Sequence, residues 1–307
     1  MARSPPRAPN CPCSGRQPIR AQQSFTRGIP STGTPDLEFE LFGGAGMADA
    51  EVIQSIAKEL RTAEEHRSPV APVATRFGDL TVADAYAVQL ANIELRLAGG
   101  DRILGRKIGL TSLAMQTQLG VDQPDYGHLL ASMAVPNGGA VATDELIAPR
   151  IELEIAFLLG RALEGPGVTT ADVLAATEAV FPSLEIIDSR IVDWKIGLVD
   201  TVADNASSGR FVMPSRLTPV HGLDLRLVGG IMEINGVLTS WSCGAAALGD
   251  PAACVAWLAN SLAAYGGRLE AGELLLSGAL DKSVPVKAGD VVRAEFDRLG
   301  SASVRFE

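Results

Sequence analysis

Three carboxylates define the chemistry that this chain could do. In Arg150-Ile-Glu-Leu-Glu-Ile-Ala-Phe-Leu158 apolar and acidic residues alternate, which is the period of a β-strand. Ile151, Leu153, Ile155 and Phe157 share one face. Glu152 and Glu154 share the other, about 7 Å apart at strand rise. Two like charges that close, flanked by hydrocarbon, repel each other and lose hydration. Such a pair persists as a solvated face, as a proton-sharing dyad or as ligands to a hard cation. A second stretch, Phe181-Pro-Ser-Leu-Glu-Ile-Ile-Asp188, puts Glu185 in another strand-like apolar run. Three carboxylates with no thiol or imidazole nearby in sequence suit Mg²⁺ or Mn²⁺ rather than zinc. The ordinary alternative is that Glu152 and Glu154 are the wet side of an edge strand.

Other residues could join them. Lys107 lies in Gly105-Arg-Lys-Ile-Gly-Leu-Thr-Ser112, a strand whose glycines let backbone approach a ligand. A lysine among apolar neighbours must be paired or hydrated, so it either holds a carboxylate and tunes proton transfer or sits on an exposed edge. Asp125 in Asp125-Tyr-Gly-His128 could move a proton or simply cap a turn. His128 precedes an apolar run and reads more readily as a packing histidine than as a base. Asp204-Asn-Ala-Ser-Ser-Gly-Arg210 and Leu276-Ser-Gly-Ala-Leu280 are small-residue bends that could cradle a carboxylate or merely end an element.

Bulk properties narrow the classes. The chain has 307 residues, 47% of them hydrophobic, and a net charge of −10. Five arginines against three acids make residues 1–46 basic, so the remainder is more acidic still. An acidic body argues against nucleic acid and anionic membrane as partners. No apolar run reaches the roughly 18 residues of a membrane span. The four cysteines, Cys11, Cys13, Cys243 and Cys254, are too scattered for a disulfide framework, and a reducing cytoplasmic setting is expected. No His-x-x-x-His pair, nucleophile elbow or phosphate loop is present.

The elements that must position these residues follow in order. Residues 1–46 are rich in Pro, Arg, Ser and Gly, the composition of a disordered tail, a tag or the product of a misplaced start. From Met47 the pattern is one α+β catalytic domain, 47–307. Helices are predicted from Ala48 to about His66, from the Thr81–Asp84 capping box to Gly99-Gly100, and from Ser112 to Leu119. Further helices are expected over Thr170 to Val180, Asp200 to Ser208, and Asp250 to Gly266. Strands are predicted from Arg102 to Leu110, around 129–135 and 148–160, through Glu185, and near 273–278, 290–297 and 302–306. Asn235-Gly236 is a strong hairpin turn. The expected architecture is a mixed, largely antiparallel β core with helices outside.

Taken together, six motifs resemble one known family. They are Gly105-Arg-Lys-Ile-Gly-Leu-Thr-Ser112, Pro124-Asp-Tyr-Gly-His-Leu129, Ile151-Glu-Leu-Glu-Ile-Ala-Phe157, Leu184-Glu-Ile-Ile-Asp188, Asp200-Thr-Val-Ala-Asp-Asn-Ala-Ser-Ser208 and Leu276-Ser-Gly-Ala-Leu280. Their order resembles the 2-hydroxypenta-2,4-dienoate hydratases of the fumarylacetoacetate hydrolase superfamily, over nearly all of 47–307. The resemblance implies a twisted mixed β-roll with peripheral helices and a homo-oligomer. It implies Mg²⁺ or Mn²⁺ on Glu152, Glu154 and Glu185, with Lys107 and Asp125 catalytic and Ser207 and Ser277 binding substrate. The implied reaction adds water to a 2-hydroxy-2,4-dienoate, giving a 4-hydroxy-2-oxo acid in meta-cleavage catabolism of aromatic or steroid rings, with a pathway aldolase as a further partner. The nearest rival is 4-oxalocrotonate decarboxylase, which must also hold a second carboxylate; Arg106 and Arg190 are the cations to watch. A non-catalytic cation-binding β protein is the rival from another class.

Overall fold

Helix α1 (Ala50–His66) opens on Asp49, whose side chain accepts from Glu51 N, and it buries Ile53, Ile56, Ala57 and Leu60. That is the spacing of one helical stripe. The structure is a computed structural model describing residues 48–307, apart from 113–115, 117–120 and 122. The expected tail, and most of the helix expected from Ser112 to Leu119, fall outside the described residues. Helix α2 (Val73–Arg76) is a single turn, and α3 (Val82–Ala98) starts on the expected Thr81–Asp84 capping box.

The strands are β1 (Ile103–Gly109), β2 (Asp125–Leu130), β3 (Ala134–Val135), β4 (Gly139–Val141) and β5 (Arg150–Leu159). Helix α4 (Thr170–Ala176) precedes β6 (Thr177–Ile187), and α5 (Leu198–Ala203) precedes β7 (Ser208–Val212). A hairpin, β8 (Gly229–Ile234) and β9 (Val237–Cys243), leads to α6 (Pro251–Ala263). The chain ends with β10 (Leu274–Leu276), β11 (Val284–Pro285), β12 (Val291–Phe296) and β13 (Gly300–Phe306).

Among the described residues the larger sheet has eight strands in the order β2-β1-β10-β5-β6-β7-β3, with β11 also pairing β5. The smaller has the order β4-β13-β12-β8-β9. Pairs β1–β10, β3–β7 and β4–β13 are parallel and the others antiparallel, so the mixed α+β expectation holds. One face of the larger sheet carries Ile108, Ile151, Leu153, Ile155, Phe157, Leu184 and Ile186. These merge with the inner residues Val292, Ala294 and Phe296 of the smaller sheet and with α1, α3 and α6 in one core. On the other face, Leu129, Ala156, Phe181, Phe211, Leu274 and Leu276 form a second, smaller cluster. The polar residues of interest share that second face.

Two helix boundaries differ from expectation. The helix begun at Thr170 stops at Ala176, where the Thr177 hydroxyl donates to Val173 O. Thr177 to Val180 instead extend β6 along Leu159, Leu158 and Phe157, because cross-strand pairing on a sheet outweighs helix propensity. The stretch expected to be helical from Asp200 to Ser208 ends its α-helix at Ala203. It then turns through Asn205, Ala206 and Ser207, all left-handed with φ 53°, 50° and 53°, and enters β7 at Ser208. The Asn235-Gly236 hairpin turn is present, with both φ values positive.

Candidate metal centre

Strands β5 and β6 pair antiparallel with Glu152 directly opposite Glu185 and Glu154 opposite Ser183. Because side chains alternate along a strand, this register turns all three glutamates to the face opposite the main core. One carboxylate oxygen from each of Glu152, Glu154 and Glu185 lies within 4.8 Å of the others. Glu154 and Glu185 are buried and Glu152 is half-buried. Strand β5 is central in its sheet, so the edge-strand reading of Glu152 and Glu154 fails.

Each buried glutamate is tied by one oxygen. Glu154 Oε2 accepts from Gly278 N at 2.8 Å, and Glu185 Oε1 accepts from the Ser208 hydroxyl at 3.0 Å. The other oxygens, Glu154 Oε1 and Glu185 Oε2, are buried without a hydrogen-bond donor. Gly278 has room to turn its N–H toward Glu154 because β10 has ended and β11 has not begun. It does so at φ +103°, with Thr111 Oγ1 only 2.1 Å from where a Cβ would stand. Buried oxygens without donors are costly, and a cluster of them within coordination reach fits a hard divalent cation.

Lys107 projects from β1 onto the same face, its Nζ 3.3 Å from Glu185 Oε2, and is 4% exposed. Burial alone would lower its pKa, but the Glu185, Asp125, Glu152 and Glu154 carboxylates outweigh that and hold the ammonium above its ordinary value. Burial raises Glu152 to about 7, helped by Glu185 and opposed by Lys107. Glu154 is driven well above the usual carboxylate range by burial and by the Glu185 and Glu152 charges. Asp125, at the start of β2 and paired across from Gly109, is also raised by burial, with Lys107 pulling the other way. A Cβ on Gly109 would lie 2.2 Å from Asp125 Oδ1 and 3.4 Å from Lys107 Nζ. Asp125 Oδ2 accepts from the Thr201 hydroxyl on α5 at 3.2 Å, while its buried Oδ1 has no donor.

The remaining expected residues are placed differently. The Ser277 hydroxyl donates to Ile155 O at 2.7 Å, and that of Ser207 points to Asp204 Oδ2 at 3.4 Å. His128 is buried, and burial with the Arg106 charge lowers its pKa to about 3. Its Nδ1 is 2.9 Å from Gln89 Oε1, and the Gln89 amide nitrogen donates to Tyr126 O and Val202 O. His128 therefore packs as a neutral ring, as the sequence suggests. Arg106 pairs with Glu273 at 2.6 Å, and Arg190 pairs with Asp204 and donates to Ser208 O. Both arginines are thus engaged inside the protein. Ser208 and Thr201 escape a reading of the sequence, because a hydroxyl that meets a carboxylate from a distant element leaves no mark in local spacing.

Residues 110–307 match the model of the fumarylacetoacetate hydrolase C-terminal domain. The chain belongs to the fumarylacetoacetate hydrolase family. Among its relatives in this family, a 2-hydroxypent-2,4-dienoate hydratase of Pseudomonas putida is 51% identical, covering 71% of this chain and 99% of its own length. A 2-keto-4-pentenoate hydratase of Paraburkholderia xenovorans is 45% identical over 83% of this chain and 94% of its own. A solved structure of 4-oxalocrotonate decarboxylase from Pseudomonas putida G7, complexed with magnesium and adipate, superposes with a TM-score of 0.82. It is 40% identical and covers 85% of this chain and 99% of that one. The twisted mixed roll with outer helices is the fold that the six sequence motifs imply.

Proposed function

We propose that the chain is a divalent-ion-dependent hydratase of the 2-keto-4-pentenoate hydratase type, a hydro-lyase acting on 2-hydroxypenta-2,4-dienoate or a longer homologue. The observation that carries this is the convergence of Glu152, Glu154 and Glu185 beside Lys107, one carboxylate oxygen of each within 4.8 Å of the others. These three glutamates would hold the ion, Mg²⁺ or Mn²⁺. When bound, it would act as a Lewis acid toward the 2-oxo acid end of the substrate.

The chain's own groups divide the remaining work. The dienol is a poor acceptor for water until it ketonises, with a proton going to C5, to a 2-oxo-3-enoate. Water then adds at C4 and a proton at C3 gives the 4-hydroxy-2-oxo acid. Lys107, kept protonated by four carboxylates, stabilises negative charge that develops on the 2-oxygen. Asp125, with one oxygen held by Thr201 and the other without a donor, carries the proton between oxygen and carbon; its raised pKa brings it nearer the working pH. Ser207 and Ser277 retain a substrate-binding role only as acceptors, since their hydroxyl protons point elsewhere.

The decarboxylase reading draws support from the Pseudomonas putida G7 neighbour. It needs a further cation for a second carboxylate, and Arg106 and Arg190 are already paired with Glu273 and Asp204. That pairing favours the hydratase. The free thiols Cys243 and Cys254 fit a reducing, cytoplasmic setting. Among the described residues no helix is long and apolar enough to cross a membrane. Residues 47–307 form the catalytic domain in this reading, which acts on small ring-cleavage products of aromatic or steroid origin, with an aldolase downstream. Leu227, Val237, Leu238 and Trp241, exposed on and near the β8–β9 hairpin, support a homo-oligomer.

The test is loss of the dienoate's ultraviolet absorbance, run beside the oxalocrotonate. Chelation should abolish hydration, with Mg²⁺ or Mn²⁺ restoring it, and Glu152→Gln should not be restorable at ordinary ion concentrations. Full activity of ion-stripped Glu152→Gln would overturn the proposal, and faster turnover of the oxalocrotonate would select the decarboxylase.

A further inference from the structure

Strand β7 is irregular where it passes the glutamates. Along β6–β7, Glu185 faces Phe211, Ile186 faces Arg210, and Ile187 faces Ser208, so Gly209 is left over. This is a β-bulge, in which one residue has no cross-strand partner. Its consequence is one of parity. In a regular ladder Gly209 would oppose Ile187, and Ser208 would point to the face of Ile186, away from the glutamates. The extra residue reverses Ser208 so that its hydroxyl reaches Glu185 Oε1. Gly209 permits the squeeze: a Cβ there would stand 2.8 Å from Ile186 O and 3.1 Å from the Asp188 Cβ. Behind the bulge, Arg190 Nη1 donates to Ser208 O at 3.0 Å, fixing the backbone that carries the hydroxyl.

We infer that Ser208 is a positioning residue for the metal centre. Its hydroxyl holds Glu185 Oε1, so that Oε2 is the oxygen presented to the ion and to Lys107. Gly278 N does the same for Glu154 through Oε2, leaving Oε1. Two of the three ligand carboxylates are thereby set to bind through one chosen oxygen each, and the bulge is the device that makes this possible on β7. The inference rests on the reading of Glu152, Glu154 and Glu185 as ion ligands.

The experiment measures Mn²⁺ binding to the full chain by calorimetry and by the electron paramagnetic resonance signal of free and bound ion. Removing a donor that orients a ligand typically costs about 10- to 100-fold in metal affinity. Ser208→Ala should show a loss of that size, measured well below the thermal midpoint of the ion-free protein, which falls because Glu185 Oε1 is left without a donor. Ser208→Thr, which keeps the donor, should bind within a few-fold of wild type. Equal Mn²⁺ affinity in wild type and Ser208→Ala would overturn the inference, as would an equal loss in Ser208→Thr. Wild-type protein that binds no Mn²⁺ would instead remove the ion-site reading beneath it.

Discussion

Two buried charge clusters lie near each other in this protein and are built in opposite ways. Around Arg190 the accounts balance: its Nε meets Asp204 Oδ1, its Nη2 meets Asp204 O, and its Nη1 meets Ser208 O. Asp204 Oδ2 in turn accepts from Arg190 N, Ser189 and Ser207. Around Lys107 four carboxylates face one ammonium; Glu154 Oε1 and Asp125 Oδ1 have no donor, and Glu185 Oε2 has only the ammonium, 3.3 Å away. A satisfied buried pair is a structural feature that costs much only when broken. An unsatisfied, over-acidic cluster lowers the stability of the ion-free fold and is explained by what it binds.

Experiments can break that contrast. The largest expected effect is on turnover: Lys107→Met should lower it by about 10²- to 10⁴-fold while Mn²⁺ still binds. Unchanged turnover would remove Lys107 from the reaction. Next, Asp204→Leu strands Arg190 and should destabilise the fold by roughly 3–5 kcal/mol, read by denaturant unfolding. In the acidic cluster the sign reverses. Glu154→Gln removes the cost of keeping a carboxyl protonated in the fold and should stabilise the ion-free protein by about 1 kcal/mol near neutral pH, while weakening ion binding.

Proton linkage sharpens the comparison. Glu152, Glu154 and Asp125 have raised pKa values in the fold, so the folded state holds protons that the unfolded chain releases. The ion-free protein should therefore lose stability as pH rises from the ordinary carboxylate range through about 7. Ion binding must expel the same protons, so Mg²⁺ affinity should fall as pH drops below about 7. Calorimetry at pH 6 and pH 8 checks both signs. The smallest effect is expected at Thr201→Val, which frees Asp125 Oδ2 and should alter the pH profile of turnover by a fraction of a unit, with ion binding unchanged.

Much of this site is legible in the sequence because its core is local. Glu152 and Glu154 are two residues apart on a strand, so their shared face follows from alternation alone, and Glu185 stands in a comparable run. Lys107 betrays itself as a charge among apolar residues. What sequence could not reveal depends on distant pairing. Nothing local tells that Glu185 lies opposite Glu152, or that Thr201 reaches Asp125. Ser207 stands out by the small polar residues around it, yet its neighbour Ser208 touches Glu185, because the bulge changes which of the two adjacent serines faces the glutamates. The strand from Thr177 was obscured for the same reason: its conformation is decided by Leu158 and Phe157 on the neighbouring strand, not by its own propensity.

The irregularity at Gly209 carries a warning for anyone who would improve this protein. Idealising a strand is an accepted way to make a sequence fold more robustly. Here a tidied β7 of the same length, with Gly209 laddered against Ile187, would look better by every measure of foldability, and it would turn away the hydroxyl that tells a carboxylate which of its oxygens to offer.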